Sequence, residues 1–201
     1  IDLKEYFASI PHDKMKELIR QKFTDPKLIH LIEQFIDAFA EAKMKEMEQF
    51  KEVAMEYGEE YAKGLGLGSE VCQMCAVSYP DKVDHYVKEV EGIRPYARYM
   101  DDSYIIHIDK EYLKEVLERI REIYGSLGIR LNDKKTKIVK LSHGFTFLKT
   151  HFLLTDTGKV VKRICRESVT RERRKLKKFA KLNVEGHMSY EEIRAAYDSW
   201  R

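Results

Sequence analysis

Several features that mark specialised protein classes are scarce in this chain of 201 residues. No run approaches the roughly 18 consecutive apolar residues of a membrane-spanning helix, and the start lacks the pattern of a secretory signal peptide. Its 10 glycines and 4 prolines are too few for a collagen-like or linker-rich chain. The three cysteines are too few, and odd in number, for a disulfide scaffold, so a reducing cytoplasm is the expected location.

Hydrophobic residues make up 43% of the chain and charged residues 35%, a balance that allows a packed core and excludes intrinsic disorder. The formal net charge of +3 indicates no particular partner, but the basic residues are unevenly placed. Between Lys159 and Lys181 there are 11 basic and 2 acidic residues, which favours contact with a polyanion over the alternative of a solvated helix. The chain opens at Ile1 and stops at Arg201 inside regular patterns, so we expect it to be a piece of a longer protein.

Apolar spacing and turn residues together predict an α+β fold. A helix capped by Asp13 is predicted first, followed by one long helix or two joined helices from Pro26 toward residue 61. Further helices are predicted from Ser69, with a bend at Pro80, and from Asp109 to Gly128. Two further helices are predicted at about 168–182 and 190–201. The β-prone runs predict strands at 1–6, 96–100, 103–108, 129–132, 136–141, 145–154 and 160–165.

Adjacent carboxylates stand out in the segment Tyr99-Met100-Asp101-Asp102, which lies between two β-prone runs. Like charges at a hairpin tip repel each other and raise a pKa, a cost that a divalent cation relieves. A solvated turn is the alternative, because Asp is a common turn residue. Asp2, at the end of the first predicted strand, would add the third carboxylate of a two-metal site for phosphoryl transfer.

A glycine-rich segment, Gly64 to Gln73, is predicted to form a loop that leads into a helix. Backbone N–H groups at such a helix start can face a nucleotide or a template. The segment is not a P-loop, because no Gly-Lys-Ser or Gly-Lys-Thr follows, and it is not a Rossmann fingerprint, because no strand precedes it.

Taken in order, these segments resemble the palm of a reverse transcriptase over nearly the whole chain. Asp2 followed by Phe7 is similar to the first palm motif of that family. The later motifs are matched in order by Gly64–Gln73, Tyr99–Asp102, Leu127–Ile138 and the primer-grip segment Gly144–Lys149. The resemblance implies an α+β palm at residues 1–158 and the beginning of a helical thumb at 159–201. The fingers and the rest of the thumb would lie outside the chain, so we expect this piece alone to be inactive.

The resemblance also implies the chemistry, which is RNA-directed DNA synthesis by a nucleotidyltransferase that uses two Mg²⁺ ions, or Mn²⁺ in their place. The implied metal ligands are Asp2, Asp101, Asp102 and the Leu3 carbonyl, and the implied catalytic residues are the three carboxylates with Lys135 near the triphosphate. The residues implied to bind the nucleotide are Phe7 as the sugar gate, Leu67, Gly68, Gln73 and Tyr99. The residues implied to bind nucleic acid are Phe147, Leu148, Lys149, Arg163, Arg166, Arg171, Arg174 and Lys178.

The implied partners are an RNA template, a DNA or RNA primer and dNTPs, and an accessory protein is compatible with this interpretation. Group II intron and retron enzymes typically carry Pro-Gln-Gly in the second motif, where this chain has Gly66-Leu67-Gly68. The segment from Leu67 to Gln73 is more similar to diversity-generating retroelement enzymes and bacterial antiviral defence enzymes, with Cys72 in place of Ser.

Two other functions remain as alternatives. One is an RNA-dependent RNA polymerase, against which the aromatic Phe7 argues. The other is a catalytically silent nucleic-acid-binding or defence module, against which the three carboxylates argue. Cys72 and Cys75 have zinc-like spacing but no second ligand pair, so we expect them to pack on a helix face. Lys4 and Arg98 flank the carboxylates, and structural pairing with them is the alternative to a role in binding nucleic acid.

Overall fold

The computed structural model describes residues 1–48, 63–66 and 68–200. The chain forms two compact units, residues 1–138 and 139–201. Both combine helices with small antiparallel sheets, which confirms the predicted α+β class. The division after residue 138 does not test the predicted palm–thumb boundary at residue 158, because compact units need not coincide with the subdomains of a polymerase. That boundary stays a prediction. Within the described ranges, no helix has the length and apolar character needed to cross a bilayer.

The first unit is mainly helical. Its helices are α1 (Tyr6–Ser9), α2 (His12–Lys22), α3 (Pro26–Glu48), α4 (Glu70–Ser78), α5 (Asp81–His85) and α6 (Lys110–Ser126). A π turn, Tyr86–Val90, continues α5. The strands β1 (Tyr96–Tyr99) and β2 (Asp102–Ile105) form an antiparallel hairpin in which Tyr99 is opposite Asp102. The predicted continuation of the Pro26 helix beyond residue 48 lies outside the described residues.

Most helix ends follow the predicted signals. The Ser69 hydroxyl accepts a hydrogen bond from the Cys72 amide, and the Asp109 carboxylate accepts from two amides at the start of α6. Gly128 follows α6 with φ +76°. At Pro80, where a bend within one helix was predicted, the chain instead forms two helices, α4 and α5. The predicted cap at Asp13 is wrong: α2 begins at His12, and Asp13 lies in its first turn, where a negative charge favours the helix dipole.

A single hydrophobic core holds the first unit together. Many of its members come from the apolar faces of α2 to α6, at the three- and four-residue spacing of an amphipathic helix, and the others come from α1 and the connecting segments. Cys72 and Cys75 are both buried in this core, as the packing interpretation predicted. The most deeply buried side chains include Met15, Ile36, Tyr79, Val83, Val116, Ile120 and Ile129.

Three strand predictions in the first unit need correction. The segment 1–6 pairs only at Asp2 and Leu3, because Glu5 adopts a left-handed φ of 47° and turns the chain into α1. The segment 129–132 pairs only through Leu131, which is bridged to Leu3. The predicted strand 136–141 does not form, because no described backbone pairs with it as a neighbouring strand.

The second unit contains a three-stranded antiparallel sheet followed by two helices. Its elements are a 3₁₀ turn (Leu141–His143), β3 (Phe145–Phe147), β4 (Thr150–Leu154), β5 (Val160–Ile164), α7 (Arg166–Val184) and α8 (Tyr190–Trp200). The single strand predicted at 145–154 is wrong. A two-residue turn at Leu148 and Lys149, with φ values of 48° and 63°, folds it into the β3–β4 hairpin.

Candidate active site

Backbone pairing brings the first carboxylate to the hairpin. The Ile1 amino group donates to the Ser103 carbonyl at 2.8 Å, and the Ser103 amide donates back to the Ile1 carbonyl at 3.0 Å. This exchange sets Asp2 directly opposite Asp102 in an antiparallel bridge. Directly opposite residues of an antiparallel pair share one face, so the two carboxylates are neighbours. Asp101 lies in the two-residue turn that precedes Asp102.

Burial and the clustering of negative charge act together on Asp102. Burial raises the pKa of its carboxyl group, and the charges of Asp101 and Asp2 raise it further. The Ile1 amino group and Lys135 act in the opposite direction and offset this rise only in part. The ionised form of Asp102 is therefore less favourable in the folded chain than that of an isolated aspartate.

Lys135 lies beside Asp2. Its ammonium Nζ donates to Asp2 Oδ2 at 3.0 Å, and this hydrogen bond, with the charge of Asp2, raises the pKa of Lys135. The Lys135 side chain is 67% exposed and that of Asp2 only 14%. Thr136 also reaches this strand, because its Oγ1 accepts from the Asp2 amide at 3.3 Å. Sequence reasoning missed Thr136, whose only signal was its place next to Lys135.

The donor chemistry of this cluster fits a divalent cation. Carboxylate oxygens are the ligands that Mg²⁺ prefers, and the repulsion that raises the pKa of Asp102 is the cost that such a cation would relieve. The ligating arrangement itself is absent here: in the part of the chain that the structure describes, no three His, Cys, Asp or Glu side chains are placed to hold a metal ion. The side chain of Leu3, whose carbonyl was a further predicted ligand, is buried, and its backbone is bridged to Leu131.

The glycine loop is attached to the junction of α1 and α2. The Gly64 amide donates to the Ile10 carbonyl at 2.8 Å, and the Leu65 amide donates to the Phe7 carbonyl at 2.9 Å. The buried His12 adds a contact of 2.5 Å between its Nε2 and the Gly64 carbonyl. These bonds place the start of the loop against Phe7, the predicted sugar gate, which is half-buried against the core. Nothing in the sequence pattern singled out His12.

The other predicted nucleotide contacts are open to solvent. Gly68 has a φ of +100° with no atom within 4 Å of the position that a Cβ would take. Gln73 lies exposed on α4, and Tyr99 lies exposed at the end of β1. Leu67 lies outside the described residues.

Arg98 does not pair with the hairpin carboxylates, so that interpretation is wrong. Its guanidinium group binds Asp84 instead, with Nε 2.9 Å from Oδ1 and Nη2 2.6 Å from Oδ2. Asp84 lies on α5, where its pKa is raised by burial but brought below its ordinary value by the hydrogen bonds from Arg98 and Tyr96.

The residues predicted to bind nucleic acid all lie in the second unit. Leu148 and Lys149 are exposed at the β3–β4 turn, and Phe147, just before them, is half-buried. The predicted basic residues of β5 and α7 are all exposed, and Arg171, Arg174 and Lys178 follow helical spacing on α7. Arg163 lies near the end of β5, and Arg166 begins α7.

A family model described as reverse transcriptase (RNA-dependent DNA polymerase) matches residues 1–152. The matched range contains the carboxylate hairpin, the glycine loop, Lys135 and the β3–β4 turn. Among curated proteins, no relative matches the chain.

Proposed function

Because the chain belongs to the reverse transcriptase family, we propose that it is the palm and the beginning of the thumb of an RNA-directed DNA polymerase. Enzymes of this family are nucleotidyltransferases that extend a primer along a nucleic-acid template with dNTPs, generally with divalent metal ions. The observation that carries the proposal is the pairing of Asp2 with Asp102 beside Asp101, with Lys135 on the same cluster.

Asp2, Asp101 and Asp102 would hold two Mg²⁺ ions, or Mn²⁺ in their place, with the Leu3 carbonyl as a further oxygen ligand. When bound, such ions activate the attacking hydroxyl and neutralise charge on the leaving pyrophosphate. Positioning and charge neutralisation are most of what a protein must supply in phosphoryl transfer. Rigid backbone pairing between Ile1 and Ser103 supplies the positioning of Asp2 against the hairpin.

Lys135 would contact the triphosphate or donate a proton to it. Like any exposed lysine it is protonated at neutral pH, and its ammonium group offers three N–H donors for phosphate oxygens. Because the side chain is exposed, it can leave Asp2 and turn toward a nucleotide without a large desolvation cost.

Phe7 would exclude a 2′-hydroxyl and so select dNTPs, on a helix fixed to the glycine loop by the Leu65 amide. Gly68, Gln73, Tyr99 and Leu67 would complete the nucleotide platform. The substitution of Leu67 for the usual Gln of the second motif favours the diversity-generating or bacterial defence branch of the family.

The exposed basic face of α7, with the β3–β4 turn, would grip the backbone of the primer–template duplex. Such contacts are independent of sequence and weaken with salt, because they release counterions. Recognition of an RNA·DNA hybrid by this face would use its shape and the 2′-hydroxyl groups of the RNA strand.

Primer extension tests this proposal in the longest natural form of the protein, with an RNA template, dNTPs and Mg²⁺. We expect extension that falls by more than about 100-fold in Asp101→Asn, since changes even to residues behind metal ligands cost roughly 10- to 100-fold. Asp156→Asn, an exposed aspartate in the β4–β5 turn, is the matched control and should extend normally.

Three results would redirect the proposal. Normal extension by Asp101→Asn would remove the hairpin carboxylates from the mechanism. A preference for NTPs over dNTPs would favour an RNA polymerase. Mg²⁺-independent template binding without extension, equal in wild type and Asp101→Asn, would favour a palm that only binds nucleic acid.

A further inference from the structure

A partly buried polar network centred on Arg98 lies behind the carboxylate hairpin. The guanidinium group of Arg98 makes a two-point contact with both carboxylate oxygens of Asp84, at 2.9 and 2.6 Å. Two-point pairs of this kind fix orientation as well as charge. The Tyr96 hydroxyl, also from β1, donates to Asp84 Oδ1 at 2.5 Å. The Arg98 side chain is only 9% exposed, so water competes little for these bonds.

The same guanidinium group ties two further segments to α5. Its Nη2 donates to the Val77 carbonyl near the end of α4 at 2.9 Å. Its Nη1 donates to the Met100 carbonyl at 3.3 Å. The donors of one side chain therefore connect α4, α5 and the turn of the hairpin. An ion pair with Asp84 alone would connect β1 only to α5.

The hydrogen bond to the Met100 carbonyl matters because this carbonyl lies in the hairpin turn. It belongs to the peptide group that joins Met100 to Asp101, so its orientation constrains the backbone of the first hairpin carboxylate. Met100 has a φ of 54°, a left-handed conformation that L side chains disfavour. A turn that is locally unfavourable needs contacts from outside the turn to hold it.

The charge of Arg98 is also directed away from the candidate metal ligands. Asp84 engages the Nε and Nη2 edge of the guanidinium group, and no hydrogen bond between Arg98 and the side chains of Asp101 or Asp102 is present among the described residues. Arg98 therefore holds the turn of the hairpin without pairing with the hairpin carboxylates and neutralising them.

We infer that Arg98, fixed by Asp84 and Tyr96, is a positioning residue that sets the Met100–Asp101 peptide and thereby the placement of the Asp101 and Asp102 carboxylates. The inference rests on the proposed function, because it assigns the network a role in metal-dependent nucleotidyl transfer. Arg98 itself touches neither substrate nor metal.

The main variant is Arg98→Lys, which keeps the charge but replaces the planar fork with a single ammonium group. The matched control is Arg119→Lys on α6, where the arginine is exposed and pairs with Glu122. For each folded protein, primer extension is measured against Mg²⁺ concentration below its melting temperature, together with the Kd for primer–template.

We expect Arg98→Lys to extend roughly 10- to 100-fold more slowly, the loss that a misplacement of about 1 Å causes. Half-maximal activity should need several-fold more Mg²⁺, while the Kd for primer–template stays unchanged. A purely structural role would lower the melting temperature without moving the Mg²⁺ requirement of the folded fraction, and that result would overturn the inference.

A second measurement does not depend on activity. The backbone amide NMR signals of residues 100–102 should shift in Arg98→Lys without metal, and signals identical to the wild type would overturn the inference. If the wild-type protein does not extend primers, the proposed function is wrong. The NMR signals of residues 100–102 would still decide whether Arg98 sets the conformation of the turn.

Two milder variants keep the inference testable if Arg98→Lys does not fold. Tyr96→Phe removes one hydroxyl group, and Asp84→Asn acts from a different element, yet both should raise the Mg²⁺ requirement. If the residues act as one unit, the effects of Asp84→Asn and Arg98→Lys should be less than additive in the double variant. A normal Mg²⁺ requirement in both single variants would overturn the inference.

Discussion

Replacing Gly128 by alanine should destabilise the first unit, because two separate costs meet at this residue. Gly128 follows α6 with a φ of +76°, which L side chains rarely adopt. A Cβ at this position would lie 2.6 Å from Pro11 Cγ and 3.4 Å from Pro11 Cδ. Pro11 directly precedes α2, and its ring is bonded to the backbone, so it cannot rotate aside as a long flexible side chain would.

The expected magnitude follows from adding the two costs. A left-handed backbone costs a residue with a side chain about 1–2 kcal/mol. Forcing extra volume into a packed site typically costs about 1–3 kcal/mol. We therefore expect Gly128→Ala to lower the free energy of unfolding by roughly 2–5 kcal/mol, a large part of the ~5–15 kcal/mol of an ordinary domain.

Urea unfolding measures this change, provided that the slope against denaturant is unaltered. The control is Gly125→Ala within α6, where a Cβ meets no atom within 4 Å. There the same substitution should raise stability by about 0.5–1 kcal/mol, because glycine weakens a helix. Pro11→Ala in the Gly128→Ala background removes the ring contact and should recover the packing part of the loss. Wild-type stability in Gly128→Ala, or a loss that Pro11→Ala does not reduce, would refute the reasoning.

Two further predictions concern single residues. Lys149→Gly should raise the free energy of unfolding by about 1 kcal/mol, since relief of the left-handed φ of 63° outweighs the added backbone entropy. Lys149→Gly should also reduce the slope of log affinity for RNA against log salt concentration by about 1, the contribution of one phosphate contact. Urea unfolding and salt titrations of binding test this, and Lys159→Gly, where φ is not left-handed, should instead lower stability. The pKa of Asp84 lies below its ordinary value because hydrogen bonds from Arg98 and Tyr96 outweigh the effect of burial. Its ionised form thus stabilises the fold at neutral pH, and this contribution is lost as pH falls below about 4. The difference in unfolding free energy between wild type and Asp84→Asn should shrink there, and a constant difference down to acid pH would contradict the assignment.

Local signals were sufficient for most of the helices and for the hairpin of the first unit, although they missed the short helix α1. Ser69 and Asp109 cap helices through their own side chains, so the information lies within three residues of each cap. Pairing between distant segments was harder to predict. The run 136–141 has a β-prone composition, but a strand needs a neighbour, and composition does not supply one. The turn at Leu148 and Lys149 lacks the Asn-Gly signature that its left-handed residues would normally require.

In the candidate site, too, local features could be predicted from the sequence but contacts between distant segments could not. The hairpin and its two aspartates could be predicted from adjacent residues, but the placement of Asp2 depends on hydrogen bonds to Ser103, far along the chain. The sequence linked these segments only through the chemistry of a shared metal site and through the family resemblance, because no local signal indicates the contact. The contact of His12 with Gly64, and that of Arg98 with Asp84, join elements whose sequence separation gives no sign of contact. Proximity in sequence suggested the wrong partner for Arg98.

The two cations near the hairpin differ in a way that suits a site with changing counter-charges. Arg98 is buried, two-point bonded to Asp84 and held by backbone carbonyls, so breaking its pair would leave an uncompensated charge inside the protein. Lys135 is exposed and bonded to Asp2 through one N–H, so exchange with solvent or a ligand is easy. In the proposed function, the backbone of the carboxylates must stay fixed while the charges that balance them change at each nucleotide addition. A firm pair behind the hairpin and a readily broken one at Asp2 meet these two requirements with separate residues.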